Sequence, residues 1–324
     1  MTAQWGLLST ARINDAFLAG VAQSRESAVL AVAGRDRDRV RRYAAERGIE
    51  RAYDSYEALL ADPDVDAVYI SLPNSLHLEW ARRALQAGKH VLCEKPLSRR
   101  AADVRAAFDD AERHDRLLTE AFMWRHHPQT ARLLELISSG AIGRLRVIQA
   151  SFSFHYADPG DVRLSAGLEG GALMDVGCYC VSAVRLLAGE PELVSGTQVV
   201  GGDGVDVVFS GWLRFPGDVT AHFDSGLILD DRHCLEVVGE AGSLYVADPW
   251  HARTPGIELR RGRSTELIEV APANSYGLEA DNLAAAIRGD GSPLLGRDDA
   301  EGQAQVLEAL YASADSGVPV AIPR

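Results

Sequence analysis

The chain has 324 residues, 47% of them hydrophobic, and a formal net charge of −13 at neutral pH. A surface this acidic excludes nucleic acid and anionic membranes as expected partners, because both bind basic patches. The length suffices for two packed domains, and four irregularly spaced cysteines do not suggest a disulfide framework. With no basic leader and no apolar run of membrane-spanning length, we expect a soluble, cytoplasmic protein.

Up to about residue 122, short apolar runs alternate with amphipathic stretches, a pattern typical of strand–helix–strand units that form a parallel sheet. The predicted strands are Gln4–Leu8, Ala28–Ala33, Ala67–Leu72, His90–Glu94 and Leu117–Ala121. The predicted helices between them are Ala11–Ala22, Arg37–Arg47, Tyr56–Ala61, Ser75–Ala87 and Ala101–Arg113. Right-handed crossovers would join these elements into a doubly wound sheet with a ligand crevice at the carboxyl ends of its strands.

After residue 122 the strands become longer and alternate apolar with polar residues, which indicates a mainly antiparallel sheet with one covered face. The predicted strands include Arg146–Phe154, Val205–Phe215, Val219–Gly226 and Cys234–Val238. The predicted helices are Gln129–Ser138, Gly171–Leu187, Gly277–Arg288 and Ala300–Ser313. The predicted fold class is therefore α/β followed by α+β. A Rossmann dinucleotide-binding domain covers 1–122, and an open-sheet domain for substrate binding and oligomerisation, with helices on one face, covers 123–324.

The turn after the first strand is a candidate pyrophosphate site. A dinucleotide fingerprint has glycines where the backbone turns tightly and approaches the pyrophosphate. Here Ser9 and Ala11 occupy two of those positions, but both are small, and a helix beginning at Thr10 still offers amide donors to a phosphate. A generic tight turn is an equally good interpretation of this segment alone. The candidate residues are Gly6, Ser9, Thr10, Ala11, Arg12 and Ile13.

The end of the second strand indicates which dinucleotide binds. NAD sites usually have an acidic residue there, which accepts the ribose hydroxyls. This chain has Gly34-Arg35-Asp36, and a glycine followed by arginine leaves room for a 2′-phosphate and supplies a planar donor fork. NADP(H) is favoured, NAD(H) stays possible, and Arg39 is a candidate second contact. The alternative is a capping segment, with Asp36 as the helix N-cap and Arg35 in solvent.

Lysine is scarce in this chain, because only Lys89 and Lys95 are lysines among 33 basic residues. Arginine replaces lysine on a solvated surface but not in proton chemistry, since a guanidinium keeps its charge whereas an ammonium can release a proton. Lys95 directly follows an apolar strand, which makes it the first candidate for chemistry. A coding bias that left two lysines behind is the alternative, and Lys89 fits that alternative better.

Motifs in both predicted domains resemble one family. They are Leu72-Pro73-Asn74-x-x-His77, Ala87-Gly88-Lys89-His90-Val91-Leu92-Cys93-Glu94-Lys95-Pro96, Glu120-Ala121-Phe122-Met123-Trp124-Arg125 and Gly170-Gly171-Ala172-Leu173-Met174-Asp175-Val176-Gly177-Cys178-Tyr179. Together they resemble the glucose-fructose oxidoreductase / inositol dehydrogenase / MocA (Gfo/Idh/MocA) family over almost the whole chain. Within that family, Leu8-Ser9-Thr10-Ala11 and Met123-Trp124-Arg125 are similar to the branch of dimeric dihydrodiol dehydrogenase and NADP xylose dehydrogenase.

The resemblance implies that Lys95 and Tyr179 face the nicotinamide, with Tyr179 in the place of a histidine of the inositol dehydrogenase branch. Hydride transfer at a carbinol requires one proton to move at the oxygen, and a phenol beside an ammonium can move it because the ammonium lowers the pKa of the phenol. Asp175 precedes Tyr179 by four residues on the same predicted helix, so both side chains point to one face, and Asp175 could orient Lys95 or the substrate. Ordinary core packing is the alternative for Tyr179.

Further residues enter through the resemblance. Trp124, Arg125 and Arg163 are implied on the substrate side, where an aromatic wall and a guanidinium suit sugars or anionic groups. Asp161 stands where many family members have the asparagine of Asn-x-Arg, which leaves the role of Arg163 open. The residues implied to line the cofactor crevice are Leu72, Pro73, Asn74, His77, Glu94, Lys95 and Pro96.

Several of these candidates have structural alternatives. Asn74 could cap the following helix, His77 could lie in its first turn, and Glu94 could brace the loop. The neighbours His126 and His127 do not face one another at a helix start, so we expect no metal.

We therefore expect an NADP-dependent oxidoreductase that acts on a secondary or anomeric hydroxyl, or the matching ketone, of a sugar or cyclic polyol. Two alternatives remain: a reductase of nucleotide-linked keto-sugars with the same dyad, and a non-catalytic dinucleotide sensor. The expected partner is a small carbohydrate or cyclic alcohol. The C-terminal sheet has one face covered by helices, and because an apolar sheet face in water would be costly, we expect a homodimer or homotetramer through the other face.

Overall fold

The computed structural model describes residues 2–156, 158 and 160–323, which divide into two compact units. The first unit contains the chain up to Ser98, then Ala102–Met123 and Asn274–Glu301. The second contains Arg99–Ala101, Trp124–Ala273 and the chain from Gly302. The predicted boundary after residue 122 lies one residue before Met123, where the segment Ala102–Met123 ends. The structure adds Asn274–Glu301 to the first unit.

The first unit contains a six-stranded sheet in which all neighbouring strands are parallel. In chain order its strands are β1 (Ala3–Leu8), β2 (Ser27–Ala33), β3 (Arg51–Tyr53), β4 (Ala67–Ile70), β5 (His90–Glu94) and β6 (Leu118–Ala121). The helices between and after them are α1 (Asn14–Val21), α2 (Arg37–Arg47), α3 (Tyr56–Leu60), α4 (His77–Gln86) and α5 (Ala101–Arg113). The spatial order β3-β2-β1-β4-β5-β6 reverses direction between β1 and β4, which is where doubly wound sheets bind ligands.

The second unit contains a nine-stranded sheet that is antiparallel except for one neighbouring pair. Two helices precede its later strands, α6 (Pro128–Ser138) and α7 (Cys178–Ala188). Its strands are β7 (Leu145–His155), β8 (Leu193–Val200), β9 (Asp206–Phe215), β10 (Val219–Gly226), β11 (Ile228–Gly239), β12 (Ser243–Val246), β13 (Gly256–Arg261), β14 (Ser264–Glu269) and β15 (Val320–Ala321). Their order is β14-β13-β12-β11-β7-β10-β9-β8-β15, with β7 and β10 parallel.

Two further helices, α8 (Ser275–Ile287) and α9 (Arg297–Ser316), complete the chain. The predicted fold class is confirmed by both sheets. The three-residue strand β3 and the strands β8 and β12 to β15 were not predicted. They are short or lie toward sheet edges, where an alternating apolar pattern is weak.

Within the first unit, helix α8 packs against α1 through a close backbone contact between two glycines. A Cβ on Gly20 would lie 2.4 Å from Gly277 N, and a Cβ on Gly277 would lie 2.8 Å from Gly20 O. Glycine at both positions lets α1 and α8 approach closely. Leu283 of α8 then joins the buried core that contains Phe17 stacked on Tyr69, with ring centroids 4.2 Å apart.

The two faces of the nine-stranded sheet differ in chemistry. On one face Phe152 of β7 contacts Tyr179 of α7, with ring centroids 5.3 Å apart. Residues of opposite parity along the strands form a cross-strand row on the other face. That row consists of Trp212, His222, Gln149, Glu236, Tyr245 and Glu258. Since the row is largely polar, an oligomer through this face would depend on complementary side chains rather than on apolar burial alone.

One helical stretch among the described residues, Ala166–Ala188, is long and apolar enough to cross a membrane by length and composition. However, 78% of its most apolar window is buried inside the protein. Because the core helix of a soluble protein passes the same test, this stretch is weak evidence for a membrane span.

Candidate active site

Ser9 directly follows β1 in a backbone conformation that favours glycine, with φ +142°. Its hydroxyl lies 2.7 Å from Ser71 Oγ, just after the neighbouring strand β4. Asn14 Nδ2 donates to Ser9 O at 2.9 Å, and Ser71 Oγ donates to Asn14 Oδ1 at 2.6 Å. All three residues are buried. These hydrogen bonds offset the backbone cost of a serine and tie together the two strands at which the sheet order reverses.

The remaining residues of this turn play different parts. Gly6 lies within β1, where a Cβ would be 2.6 Å from a Leu59 methyl group, so its glycine serves packing. The Ala11 amide donates to Ser9 Oγ at 3.1 Å, whereas Arg12 and Ile13 are exposed. Ile13 precedes α1 and supplies no side-chain cap. The exposed part of the turn therefore leads directly into the helix start, as a phosphate-binding turn requires.

Three exposed arginines follow β2, namely Arg35, Arg37 and Arg39. Asp36 between them is the N-cap of α2, and its Oδ1 accepts the amides of Asp38 and Arg39, both at 3.0 Å. The hydrogen bond from the Arg39 amide is the main reason that the pKa of Asp36 is lowered. Arg39 Nη2 donates to Thr10 O at 3.3 Å. Asp36 is thus a helix cap, and cationic side chains dominate this edge of the sheet.

His77 connects the loops after β4 and β5. It is 1% exposed, with Nδ1 2.9 Å from Pro96 O and Nε2 2.8 Å from Leu72 O. Carbonyl oxygens only accept hydrogen bonds, so both contacts are hydrogen bonds when both ring nitrogens carry a proton. Lys95 directly precedes Pro96, one of the two residues that His77 contacts. It is half-buried and joined to Pro96 by a cis peptide bond. The sequence predicted His77 in the crevice but did not indicate that it connects Leu72 to Pro96.

Carboxylates hold the same loop. Glu120 Oε1 of β6 accepts the Leu97 amide at 2.8 Å, two residues after Lys95. Glu94 accepts a short hydrogen bond from the Tyr69 hydroxyl. Burial, and then the charge of Glu94, raise the pKa of Glu279 of α8 well above its ordinary value. The backbone directly after Lys95 is therefore anchored to side chains of the first unit, and Tyr69 holds the Glu94 side chain before it.

Lys89 has a structural role that its sequence context did not indicate. It is buried, and its Nζ donates to Asp62 O at 2.6 Å and to Val65 O at 2.8 Å. Burial lowers its pKa, partly opposed by the nearby carboxylates of Asp62 and Asp66. The interpretation of Lys89 as a leftover of coding bias is wrong, because its ammonium closes the loop before β4.

In the second unit, Asp175 is paired with Arg163. Arg163 Nε donates to Asp175 Oδ2 at 2.9 Å, and Arg163 Nη1 donates to Asp161 Oδ1 at 3.1 Å. Gly170 allows this segment to pack closely, because a Cβ there would lie 2.2 Å from Arg163 O. The aspartate at 161 therefore does not displace Arg163. Instead, the Arg163 guanidinium bridges the carboxylates of Asp161 and Asp175.

Asp206 caps the helical segment that carries Asp175. Its carboxylate is buried and accepts the Leu173 amide at 2.7 Å and the Tyr311 hydroxyl at 2.9 Å. Gly171, with φ +125°, is required beside it, because a Cβ would lie 2.2 Å from Asp206 Oδ1. Burial raises the pKa of Asp206 to about 6, although its hydrogen bonds act in the opposite direction. The sequence did not indicate a role for Asp206, because the alternating pattern of β9 around it is like that of the other strands.

Asp175 and Tyr179 lie on different kinds of helix. Leu173–Gly177 is a π-helical turn, and Tyr179 follows on α7. The predicted shared face assumed the 3.6-residue repeat of one α-helix. A π turn replaces that repeat at Asp175, so the shared face stays a prediction. Gly177 lies within the turn, where a Cβ would be 2.8 Å from Ser225 Oγ of β10. Single π turns occur frequently at functional sites.

Tyr179 packs among aromatic rings and is 7% exposed. Its ring is edge-on to Phe152 and to Trp250, with centroid distances of 5.3 Å and 5.9 Å. Trp250 Nε1 donates to Ser151 O at 3.0 Å, which fixes this wall on β7. Tyr179 is therefore held rigidly, while the chemistry of its hydroxyl stays a prediction.

The substrate-side candidates Trp124 and Arg125 make packing contacts. Trp124 is 2% exposed and edge-on to Trp250 at 5.7 Å, and its Nε1 has no hydrogen-bond partner among the described residues. Arg125 Nη1 donates to Ser182 Oγ of α7 at 3.3 Å, and its guanidinium lies over the Trp124 ring. Both residues therefore belong to the aromatic layer that surrounds Tyr179.

Histidines occur at two further places in the second unit. His127 Nδ1 accepts the Gln129 amide at 3.0 Å and caps α6. A second group, His233, Asp248 and His251, was not predicted, and its ligand atoms lie within 4.8 Å of one another. The spacing Asp-x-x-His at 248–251 was its only local sequence signal.

Comparison with known proteins gives two family matches. The description "Oxidoreductase family, NAD-binding Rossmann fold" matches residues 5–122, and "GFO/IDH/MocA C-terminal domain" matches residues 130–245. D-xylose 1-dehydrogenase (NADP(+)) 2 of Haloferax volcanii is 38% identical, over 98% of each chain. Trans-1,2-dihydrobenzene-1,2-diol dehydrogenase of Xenopus laevis is 33% identical, over 82% of this chain and 81% of its own.

Among solved structures, a 3-ketoreductase of Actinomadura kijaniata in complex with NADP and TDP-benzene superposes with a TM-score of 0.91. It is 31% identical, over 97% of this chain and 98% of its own. These matches confirm the predicted family and the oxidoreductase class.

Proposed function

The chain belongs to the Gfo/Idh/MocA family of oxidoreductases, and on that premise we propose that it transfers a hydride between NADP(H) and a sugar or cyclic polyol. The reacting group is a secondary or anomeric hydroxyl, or the matching ketone. The names of the xylose dehydrogenase and diol dehydrogenase relatives support this substrate class. The same xylose dehydrogenase and the NADP-bound 3-ketoreductase support the cofactor, with NAD(H) as the weaker possibility.

The residues after β2 fit a 2′-phosphate. Asp36 caps α2 through Oδ1, and Arg35 and Arg39 bring two guanidinium groups to the same segment. Arg35 would hold the 2′-phosphate, and the turn from Ser9 to Ile13 would hold the pyrophosphate. Leu72, Pro73, Asn74 and Glu94 would line the rest of the crevice.

Lys95 and Tyr179 carry the proposed chemistry. When bound, the nicotinamide supplies or accepts the hydride. Tyr179 exchanges a proton with the substrate oxygen, and Lys95 hydrogen-bonds to that oxygen and favours the ionised phenol. The observation that carries this proposal is the anchored Lys95 loop, since His77 and Glu120 fix the backbone beyond the ammonium. A positioned proton donor requires such support.

Asp175 and Arg163 are proposed as the orienting pair on the substrate side. Because Arg163 already binds Asp175, the carboxylate is directed before any substrate arrives. Trp124 and Arg125 support the aromatic layer, and any substrate contact they make would come from the Trp124 indole N–H or the Arg125 guanidinium.

A coupled absorbance screen tests the proposal. Aldoses, inositols, keto-sugars and trans-dihydrodiols are offered with NADP(H) and NAD(H) separately, and we expect turnover with one of these classes and a preference for NADP(H). Tight NADP(H) binding without turnover of any compound would contradict the proposal and favour a dinucleotide sensor.

A nucleotide-linked keto-sugar reductase is the second candidate, favoured by the 3-ketoreductase that binds NADP and TDP-benzene. This candidate predicts calorimetric binding of TDP and competition between TDP and the substrate. The first candidate predicts neither effect.

We further propose a homodimer or homotetramer through the polar row of the nine-stranded sheet, in a soluble, cytoplasmic protein. Trp212 is 39% exposed at one end of that row. Sedimentation of Trp212→Glu tests the interface: the variant should dissociate at concentrations at which the parent protein stays associated, and a monomeric parent would contradict it.

A further inference from the structure

We propose that His233, Asp248 and His251 form a binding site for one divalent transition-metal ion, such as Zn²⁺ or Co²⁺. All three residues belong to the second unit, and their ligand atoms lie within 4.8 Å of one another. His251 Nδ1 and Asp248 Oδ1 are 3.9 Å apart. Ligands bound to Zn²⁺ at about 2.0–2.2 Å lie roughly 3–4 Å from each other. Small rotations of the two imidazole rings therefore complete the site.

His233 already has the arrangement of a metal ligand. Its Nε2 lies 2.6 Å from Asp231 Oδ1, and its Nδ1 is buried without a hydrogen-bond partner among the residues that the structure describes. A metal-binding imidazole usually donates its other N–H to a carboxylate, which fixes the tautomer and the ring orientation. Asp231 supplies that carboxylate, and the resulting tautomer directs the lone pair of Nδ1 to the ion.

The turn that carries Asp248 and His251 is rigid. Asp248 accepts the His251 amide at 3.2 Å and the Arg253 amide at 2.9 Å. Trp250, between the two ligands, is completely buried and hydrogen-bonded to Ser151 O of β7. A carboxylate has about four acceptor positions, so Asp248 can bind an ion while it keeps both amides.

The donor set selects the type of ion. Two imidazoles and one carboxylate suit Zn²⁺, Co²⁺ or Ni²⁺, whereas Mg²⁺ and Ca²⁺ prefer oxygen ligands alone. Three protein ligands leave a coordination position for water or a small solute. The Phe152 ring lies 4.7 Å from the His233 ring and 5.3 Å from the Tyr179 ring, so the ion would be one side chain away from Tyr179.

The other interpretation of these residues is two separate ion pairs, His233 with Asp231 and His251 with Asp248. Ion pairs would leave the protein without affinity for a metal above that of its other histidines. A metal titration of the full-length protein, stripped with a chelator and free of NADP(H), therefore separates the two interpretations. Because this measurement involves neither hydride transfer nor substrate, its result is independent of the proposed function.

Titration with Co²⁺, followed by visible absorption, should show one bound ion per chain that Zn²⁺ displaces. His233→Ala and His251→Ala should each abolish this binding, and Asp231→Asn should weaken it by about 10- to 100-fold. His114→Ala, which removes an exposed histidine directly after α5, is the matched control and should bind like the parent protein.

Thermal unfolding of each variant without metal checks that it is folded. If His233→Ala does not fold, the test uses His251→Ala and the exposed-site variant Asp231→Asn instead. Absence of Co²⁺ binding by the parent protein would overturn the proposal. Equal binding by the parent protein and the two histidine variants would overturn it as well.

Discussion

Arg163 Nε donates to Asp175 Oδ2 at 2.9 Å, so a carboxylate within the π-helical turn is oriented by a residue twelve positions earlier in the chain. Arg163 also binds Asp161, and the two carboxylates together fix the plane of the guanidinium. The position of Asp175 therefore depends on this pair as well as on the helix that carries it.

Replacing Arg163 by leucine should lower kcat by about 10- to 100-fold, because a misdirected Asp175 displaces the substrate from its reactive position. KM for NADP(H) should not change, since the pair belongs to the substrate side. Arg132→Leu removes another half-exposed arginine paired with one carboxylate, that of Glu135, and is the matched control. Equal kcat values for both variants would contradict the orienting role.

Arg35→Ala should raise KM for NADP(H) by about 10- to 100-fold, the loss expected when a charge-assisted hydrogen bond to a phosphate is removed. KM for NAD(H) should change little, because NAD(H) has no 2′-phosphate. Arg37→Ala, an exposed arginine two residues further along, should leave both KM values unchanged. Steady-state kinetics with both cofactors measure the effect, and a parallel change for NAD(H) would show that Arg35 does not read the 2′-phosphate.

Asp206→Asn should change how stability depends on pH. The pKa of Asp206 is raised from 3.8 to about 6 in the folded protein, so between these values the folded state holds the proton more tightly than the unfolded state. The free energy of unfolding of the parent protein should therefore fall, relative to that of Asp206→Asn, by up to about 3 kcal/mol as pH rises through this window. Urea unfolding at several pH values measures the difference. The exposed-site variant Asp203→Asn should follow the parent protein.

Lys89→Met should lower the free energy of unfolding by about 1–3 kcal/mol, because two buried carbonyl oxygens lose their donor. The folded fraction should keep full turnover, since Lys89 closes a loop and takes no part in the proposed chemistry. Urea unfolding and specific activity of the same preparation check both statements. Loss of activity without loss of stability would contradict them.

The sequence predicts much of the fold because its patterns are local. Strands β1, β2, β4, β5 and β6 are apolar runs bounded by turn residues, and the alternation in β9 and β10 indicates a sheet with one covered face. The return of α8 to the first unit was not predictable from such patterns. It depends on the contact between Gly20 and Gly277, which are 257 positions apart.

The candidate site divides in the same way. Lys95 and Asp36 were assigned from their positions at the ends of strands, and the structure shows Asp36 as the helix cap that was one of two interpretations. Two other features depend on distances across the fold and could not be predicted. They are the contacts of His77 with Leu72 and Pro96, and the pairing of Arg163 with Asp175. The π-helical turn could not be predicted either, because no residue type in that segment distinguishes it from an α-helix.

The two lysines of this chain provide the most direct test of the proposed dyad. Lys95→Met and Lys89→Met are compared by fluorescence titration with NADPH and by single-turnover hydride transfer with the substrate that the screen identifies. We predict that Lys95→Met binds NADPH like the parent protein but transfers hydride at a rate lower by a factor of about 100 or more, while Lys89→Met transfers it at the parent rate. Hydride transfer by Lys95→Met at the parent rate would contradict the account.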